Sequence, residues 1–198
     1  MMLVEQTIVP TAALPVAEFK DHLRLGTGFA DDGVQDDVLV AYLRAAIATI
    51  EARTTKALIT RGFSWTLTAW RDLAAQALPL APVSAITSLS IFDRLGAEEV
   101  IDGAKYVLEL DMHRPRLIST GYTLPVIPVG GSAVILFDAG FGAAWSDVPV
   151  DLTHAVLMLA AYYYENRGTH PGEAEVPAGV VSLIARYRPV RLFGGGPL

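Results

Sequence analysis

Hydrophobic spacing divides the chain into three zones. Up to about Lys56 the apolar residues recur at helical intervals. Val16, Phe19 and Leu23 share one face of a segment that starts after Pro15 and is stopped by Gly26-Thr27-Gly28. Asp31-Asp32-Gly33 reads as a loop. Asp36 and Asp37 suit a helix start, where exposed backbone amides favour negative charge. Leu39, Leu43, Ala46, Ile47 and Ile50 then form one stripe, which predicts an amphipathic helix from Val38 to about Thr54.

From about Ala57 to Val148 the pattern changes to that of strands. Phe63-Ser64-Trp65-Thr66-Leu67-Thr68 alternates with period two. Ile86 to Phe92, Tyr106 to Leu110 and Ser132 to Phe137 are further β-prone runs, and Asp93-Arg94-Leu95-Gly96 resembles a turn. Pro79, Pro82, Pro115, Pro125 and Pro128 fall between them, as loops and edges require. The spacing predicts a small antiparallel sheet or sandwich.

The third zone returns to helix at Pro149 and Asp151. Leu152, Ala155, Val156, Leu159, Ala160 and Tyr163 form one stripe, yet Leu157, Met158, Ala161 and Tyr164 make the opposite face apolar too. A helix apolar nearly all round is covered nearly all round. Either it is a central core helix or Leu157, Met158, Ala161 and Tyr164 pack against another subunit. Gly168 and Pro171 stop it. Thr169 to Glu175 is a polar loop, and Pro177 to Tyr187 is expected to form a second helix. The glycine-rich end from Pro189 reads as a flexible arm. The expected fold is therefore α+β: a helical core from segments 1–56 and 148–188, an inserted antiparallel β-region at 57–147, and an arm at 189–198.

Composition sharpens this picture. The chain is 52% hydrophobic and 18% charged, with mean hydropathy +0.39. A well-filled alanine-rich core accounts for that, and so does apolar surface buried between subunits. There are no cysteines, so disulfides and thiolate zinc sites are excluded. No signal peptide is expected, because Glu5 and the prolines at 10 and 15 spoil the required pattern. The longest apolar run, Ala155 to Tyr164, is short of the ~20 residues that span a bilayer. No membrane partner is expected. Net charge is −6, which argues against broad nucleic-acid binding. Beyond Glu175, however, only Arg186, Arg188 and Arg191 carry side-chain charge. Arginine's rigid fork suits interface ion pairs.

Catalytic signatures are missing. Gly26-Thr27-Gly28-Phe29-Ala30-Asp31 lacks the strand before it and the third glycine that a dinucleotide loop needs. His22, His113, His154 and His170 have no ligand spacing; His154 is expected in the core or at an interface. Ser146, Asp147 and His154 lack a nucleophile elbow. The pairs Asp31-Asp32, Asp36-Asp37 and Glu98-Glu99 sit at caps or loops, as solvated turns do. No catalytic, cofactor or metal residue is assigned.

Several motifs, in order, resemble the phage head–tail connector (adaptor) family. They are Pro15 to Leu23, read as Pro-Val-x-Glu-x-Lys-x-His-Leu; Asp36-Asp37 with a helix ending in Thr54-Thr55-Lys56-Ala57-Leu58-Ile59-Thr60; Asp138-Ala139-Gly140-Phe141-Gly142; Val148-Pro149-Val150-Asp151-Leu152; Leu159 to Gly168; and Pro177 to Arg188. The middle zone matches in general pattern only. Arginine-rich, lysine-poor usage suits the version found in gene transfer agents. The resemblance implies a ring of twelve copies under the capsid portal, with a stopper or tail protein on its other side and DNA passing through as cargo. It implies a virion or virion-like location, and that the C-terminal segment engages the portal: Arg186, Tyr187, Arg188, Arg191, Leu192 and Phe193. The alternatives are a stopper or tail-completion protein of the same particle, or a small cytoplasmic enzyme with its site at the helix–sheet junction.

Overall fold

A computed structural model describes residues 1–25, 35–166 and 176–189. The elements in chain order are β1 (Met2–Glu5), α1 (Val16–His22), α2 (Asp36–Thr54), β2 (Arg61–Leu67), β3 (Ala75–Ala77), β4 (Val83–Phe92), β5 (Glu98–Val100), β6 (Tyr106–Glu109), β7 (Arg116–Ser119), β8 (Ser132–Ala139), α3 (Val150–Glu165) and α4 (Ala178–Ile184). The fold is α+β, with the sheets inserted between helical segments. Gly26 to Asp31, Asp31-Asp32-Gly33, Thr169 to Glu175 and the arm beyond Pro189 lie outside the described residues.

The helical core joins the two sequence ends. Leu39, Leu43, Ala46, Ile47 and Ile50 of α2 are buried, as their spacing predicts, against Leu152, Ala155, Val156, Leu159 and Ala160 of α3. Phe19 of α1 and Val180 and Ile184 of α4 complete it. Asp36 and Asp37 occupy the first turn of α2, and Asp36 pairs with Lys20 of α1 at 2.6 Å. Thr49 and Tyr163 share a hydrogen bond of 3.1 Å between α2 and α3.

The β-region has its own core. A five-stranded antiparallel sheet runs in the order β1-β2-β8-β4-β5, and a three-stranded one in the order β3-β7-β6. β2 and β8 alternate as period-two strands must: Phe63, Trp65 and Leu67 are buried, with Ala133, Ile135, Phe137 and Ala139 beside them. Phe63 lies opposite Phe137 and stacks on it at 5.6 Å. Leu117 from the smaller sheet joins the same cluster.

The opening zone is not wholly helical, although its pattern predicts helix throughout. β1 adds to the edge of the larger sheet, pairing Leu3 with Trp65 and Glu5 with Phe63. Its side chains are all exposed, so no alternation marks it. The short strands β3, β5 and β7 were also not predicted.

The two cores meet at one junction. Gly140 has φ +146°, and a Cβ there would lie 2.3 Å from the Thr60 backbone. Gly142 accepts the Thr60 N–H at 2.8 Å, and Phe141 donates to the Leu58 carbonyl at 3.1 Å. The Asp138-Ala139-Gly140-Phe141-Gly142 motif is thus the passage where β8 leaves the sheet and enters the helical core. Arg61 braces the same place. Its guanidinium donates to both Glu51 oxygens, at 3.0 and 2.6 Å, and its Nε lies 2.9 Å from Glu5. One cation therefore links α2, β1 and β2.

Candidate functional site

The docking residues expected at the C-terminal end are divided by the structure. α4 continues into a 3₁₀ turn over Ala185–Tyr187. Arg186 and Arg188 are exposed. Tyr187 is not: it is 2% exposed, with its ring edge-on to Phe141 at 6.3 Å. Tyr187 thus belongs to the helical core, as the helix expected from Pro177 to Tyr187 places it, while its two arginine neighbours face outward. The signal was present in sequence, since Val180, Ile184 and Tyr187 recur at helical spacing and are all buried. Arg191, Leu192 and Phe193 lie outside the described residues.

Tyr187 is fixed by a small polar network at the start of α3. Its hydroxyl donates to Asp151 Oδ1 at 2.8 Å. Arg186 donates to the Tyr187 hydroxyl, its Nε sits 2.9 Å from Asp151 Oδ2, and its guanidinium lies over the Tyr187 ring at 4.6 Å. Burial pushes the Tyr187 hydroxyl above the usual phenol range; the Arg186 bond opposes this and Asp151 adds to it. The hydroxyl therefore stays protonated as a donor. The network sets where the backbone leaves the helical core, with Arg188 and Pro189 exposed just beyond it.

The α3 face expected between subunits is half-covered by its own chain. Leu157, Met158, Ala161 and Tyr164 are all of intermediate burial. A Cβ on Gly179 of α4 would touch the Met158 methyl at 3.1 Å. Tyr164 sets its ring against Tyr42 at 6.0 Å and donates to Gln35 Oε1 at 3.2 Å. The face is neither bare nor closed. His154 is exposed, which corrects the core reading, and its ring lies 6.4 Å from that of His22.

Among the described residues no cluster of His, Asp and Glu could hold a metal ion, and no helix is long and apolar enough to cross a membrane. Asp147 accepts the Ala144 N–H at 2.9 Å, a turn bond rather than part of a triad. Glu98 and Glu99 are adjacent on β5, so their side chains leave opposite faces of the sheet.

Comparison with known proteins accords with this architecture. No family model matches the chain, and neither does any curated protein. Solved structures do, each with 100% of both chains aligned. The neck of an empty gene transfer agent particle, computed with C6 symmetry, is 56% identical with a TM-score of 0.90. The virion of a native gene transfer agent particle is 57% identical with a TM-score of 0.88. The neck of a native particle, computed with C12 symmetry, is 53% identical with a TM-score of 0.86. Identity of this order along an entire chain, with TM-scores of 0.86 to 0.90, fixes kinship and not merely a shared architecture: the chain belongs to the head–tail connector family, as a neck protein of gene transfer agent particles.

Proposed function

We propose that this chain is the adaptor subunit of its neck, a structural and non-catalytic protein. Twelve copies form a ring, with the portal on one side, a stopper or tail component on the other, and DNA in the channel as cargo. The observation that carries this reading is full-length likeness to gene transfer agent necks, one of them computed with C12 symmetry.

The residues divide the work. Arg186 and Arg188, with Arg191, Leu192 and Phe193, engage the portal, and Tyr187 holds their base in place. The half-covered face of Leu157, Met158, Ala161 and Tyr164 meets the neighbouring subunit. Half-buried apolar groups of this kind gain further burial on assembly. The net charge of −6 supports DNA as a passing cargo, since few cations are available to grip phosphates. Binding to DNA that persists at physiological salt would count against that part.

The test is truncation after Tyr187, which removes the arm and leaves the anchor. Native mass spectrometry and negative-stain imaging, with and without portal, read the result. The truncated protein is expected to fold and to fail to join portals. Undiminished docking refutes the role of the arm.

A further inference from the structure

The docking end is concave as well as basic. Arg71, from the chain after β2, and His113 and Arg114, from the turn between β6 and β7, line one cleft of about 580 Å³ with Arg186 and Arg188. Among the described residues no aspartate or glutamate lines it, in a chain of net charge −6. Among the described residues, Arg71, Arg114 and Arg188 have no carboxylate within ion-pair distance. Two nearby carboxylates already hold hydrogen-bond partners. Asp111 accepts the backbone N–H groups of His113 and Arg114 at 2.6 Å each, and Asp151 holds Arg186 and Tyr187. Between the cations the wall is apolar, formed by buried Trp65 and Leu78 and half-buried Leu80.

Arg71, Arg114 and Arg188 are like charges with no carboxylate paired to them, so they repel one another, and a docked anion relieves that repulsion. Arginine forks pair with carboxylates in a bidentate manner. A cleft of this size takes a few residues of peptide. A nucleic-acid duplex instead tracks a basic face or stripe, and its phosphates would leave the apolar wall unused.

We propose that this cleft receives an acidic peptide segment of the protein onto which the C-terminal end docks, with carboxylates on the arginine rim and an apolar side chain against Leu78 and Leu80. The proposal rests on the docking role given above. It adds Arg71, His113 and Arg114 of the β-region to the C-terminal arginines.

The full-length protein is titrated, by fluorescence anisotropy, with three labelled probes: a short peptide alternating glutamate and leucine, its lysine–leucine counterpart, and a short DNA duplex. Saturable binding of the acidic peptide is expected, falling about tenfold or more in the Arg71→Glu/Arg114→Glu double variant. Arg94→Glu, at an exposed position in the β4–β5 turn, should bind as the wild type does. Both variants should unfold at the wild-type temperature, because these side chains are exposed. The proposal is overturned by absent acidic-peptide binding, by binding indifferent to the double substitution, or by preference for duplex DNA. It is also overturned if the double substitution abolishes self-association and leaves peptide binding intact, which would give the cleft to a second copy. Portal docking by the same double variant separates the two readings. Wild-type docking without peptide binding overturns the cleft and leaves the arm's role standing.

Discussion

Replacing Tyr187 by phenylalanine removes one oxygen and leaves the ring beside Phe141. What is lost is the bond to Asp151 Oδ1 at 2.8 Å, together with the acceptor for Arg186. A hydrogen bond to a charged group is worth about 1.5–3 kcal/mol net. Asp151 retains Arg186 and the Leu152 N–H at 3.1 Å, so the low end applies, about 1–2 kcal/mol. For a protein of this length each kcal/mol moves Tm by about 2–4 °C, giving a drop of about 2–8 °C. Tyr187→Ala also empties the ring site and should cost about 3–5 kcal/mol. A second signature is alkaline. Because the folded hydroxyl titrates above its unfolded value of 10.0, its contribution is complete below about pH 10 and is lost as pH rises through the folded value. The difference between wild type and Tyr187→Phe should shrink accordingly. Thermal unfolding by circular dichroism, at several pH values, measures both effects, and portal docking is assayed below the variant's Tm. An anchor loses stability and keeps docking. Unchanged Tm with lost docking would refute the reasoning and make the hydroxyl a contact group.

Other substitutions probe the junction. Gly140→Ala places a methyl against the Thr60 backbone at a φ that only glycine tolerates well, so little soluble protein is expected on expression. Arg61→Ala leaves the partly buried Glu51 with the Leu58 N–H at 2.7 Å but no cation, and should lower stability by about 1–3 kcal/mol in denaturant titration; no measurable loss would show that the brace is idle. Lys56 is buried with its Nζ donating to the Met112 carbonyl at 2.6 Å, and burial holds its ammonium below the usual lysine range, with Asp111 opposing. The unfolded chain therefore holds more protons than the folded one between the lowered value and 10.5, and stability rises with pH across that window. Lys56→Met should flatten the rise measured as pH approaches 10.5 from below; an unchanged slope would locate the titration elsewhere.

The parts of the fold legible in sequence were those whose burial has a period. α2 and β2 face one core each, so Leu39 to Ile50 and Phe63 to Leu67 declare themselves. β1 and β5 do not, because their side chains are exposed. β5 even carries two glutamates, which strands usually avoid, and it forms because the turn at Asp93 to Gly96 folds it back on β4. The all-round apolar character of α3 was half informative: one face is core, and the other is shared with α2 and α4. The spacing of Tyr187 from Val180 and Ile184 places it inside, whereas its arginine neighbours point to a docking surface. The basic cleft was invisible, since no spacing rule connects Arg71, Arg114 and Arg186 until the sheet brings them together.

The way the helical core is stitched from distant segments dictates an order of events during synthesis. β2, β4 and β8 are all out of the ribosome once Ala139 has emerged, so the larger sheet can close while translation continues. α2 cannot: its apolar stripe waits for α3, about a hundred residues later. For that interval the nascent chain exposes a greasy helix with no mate, the kind of surface that chaperones hold and that aggregates in their absence. Slowing elongation before Val150 would prolong that exposure, whereas supplying the C-terminal helices in trans would shorten it.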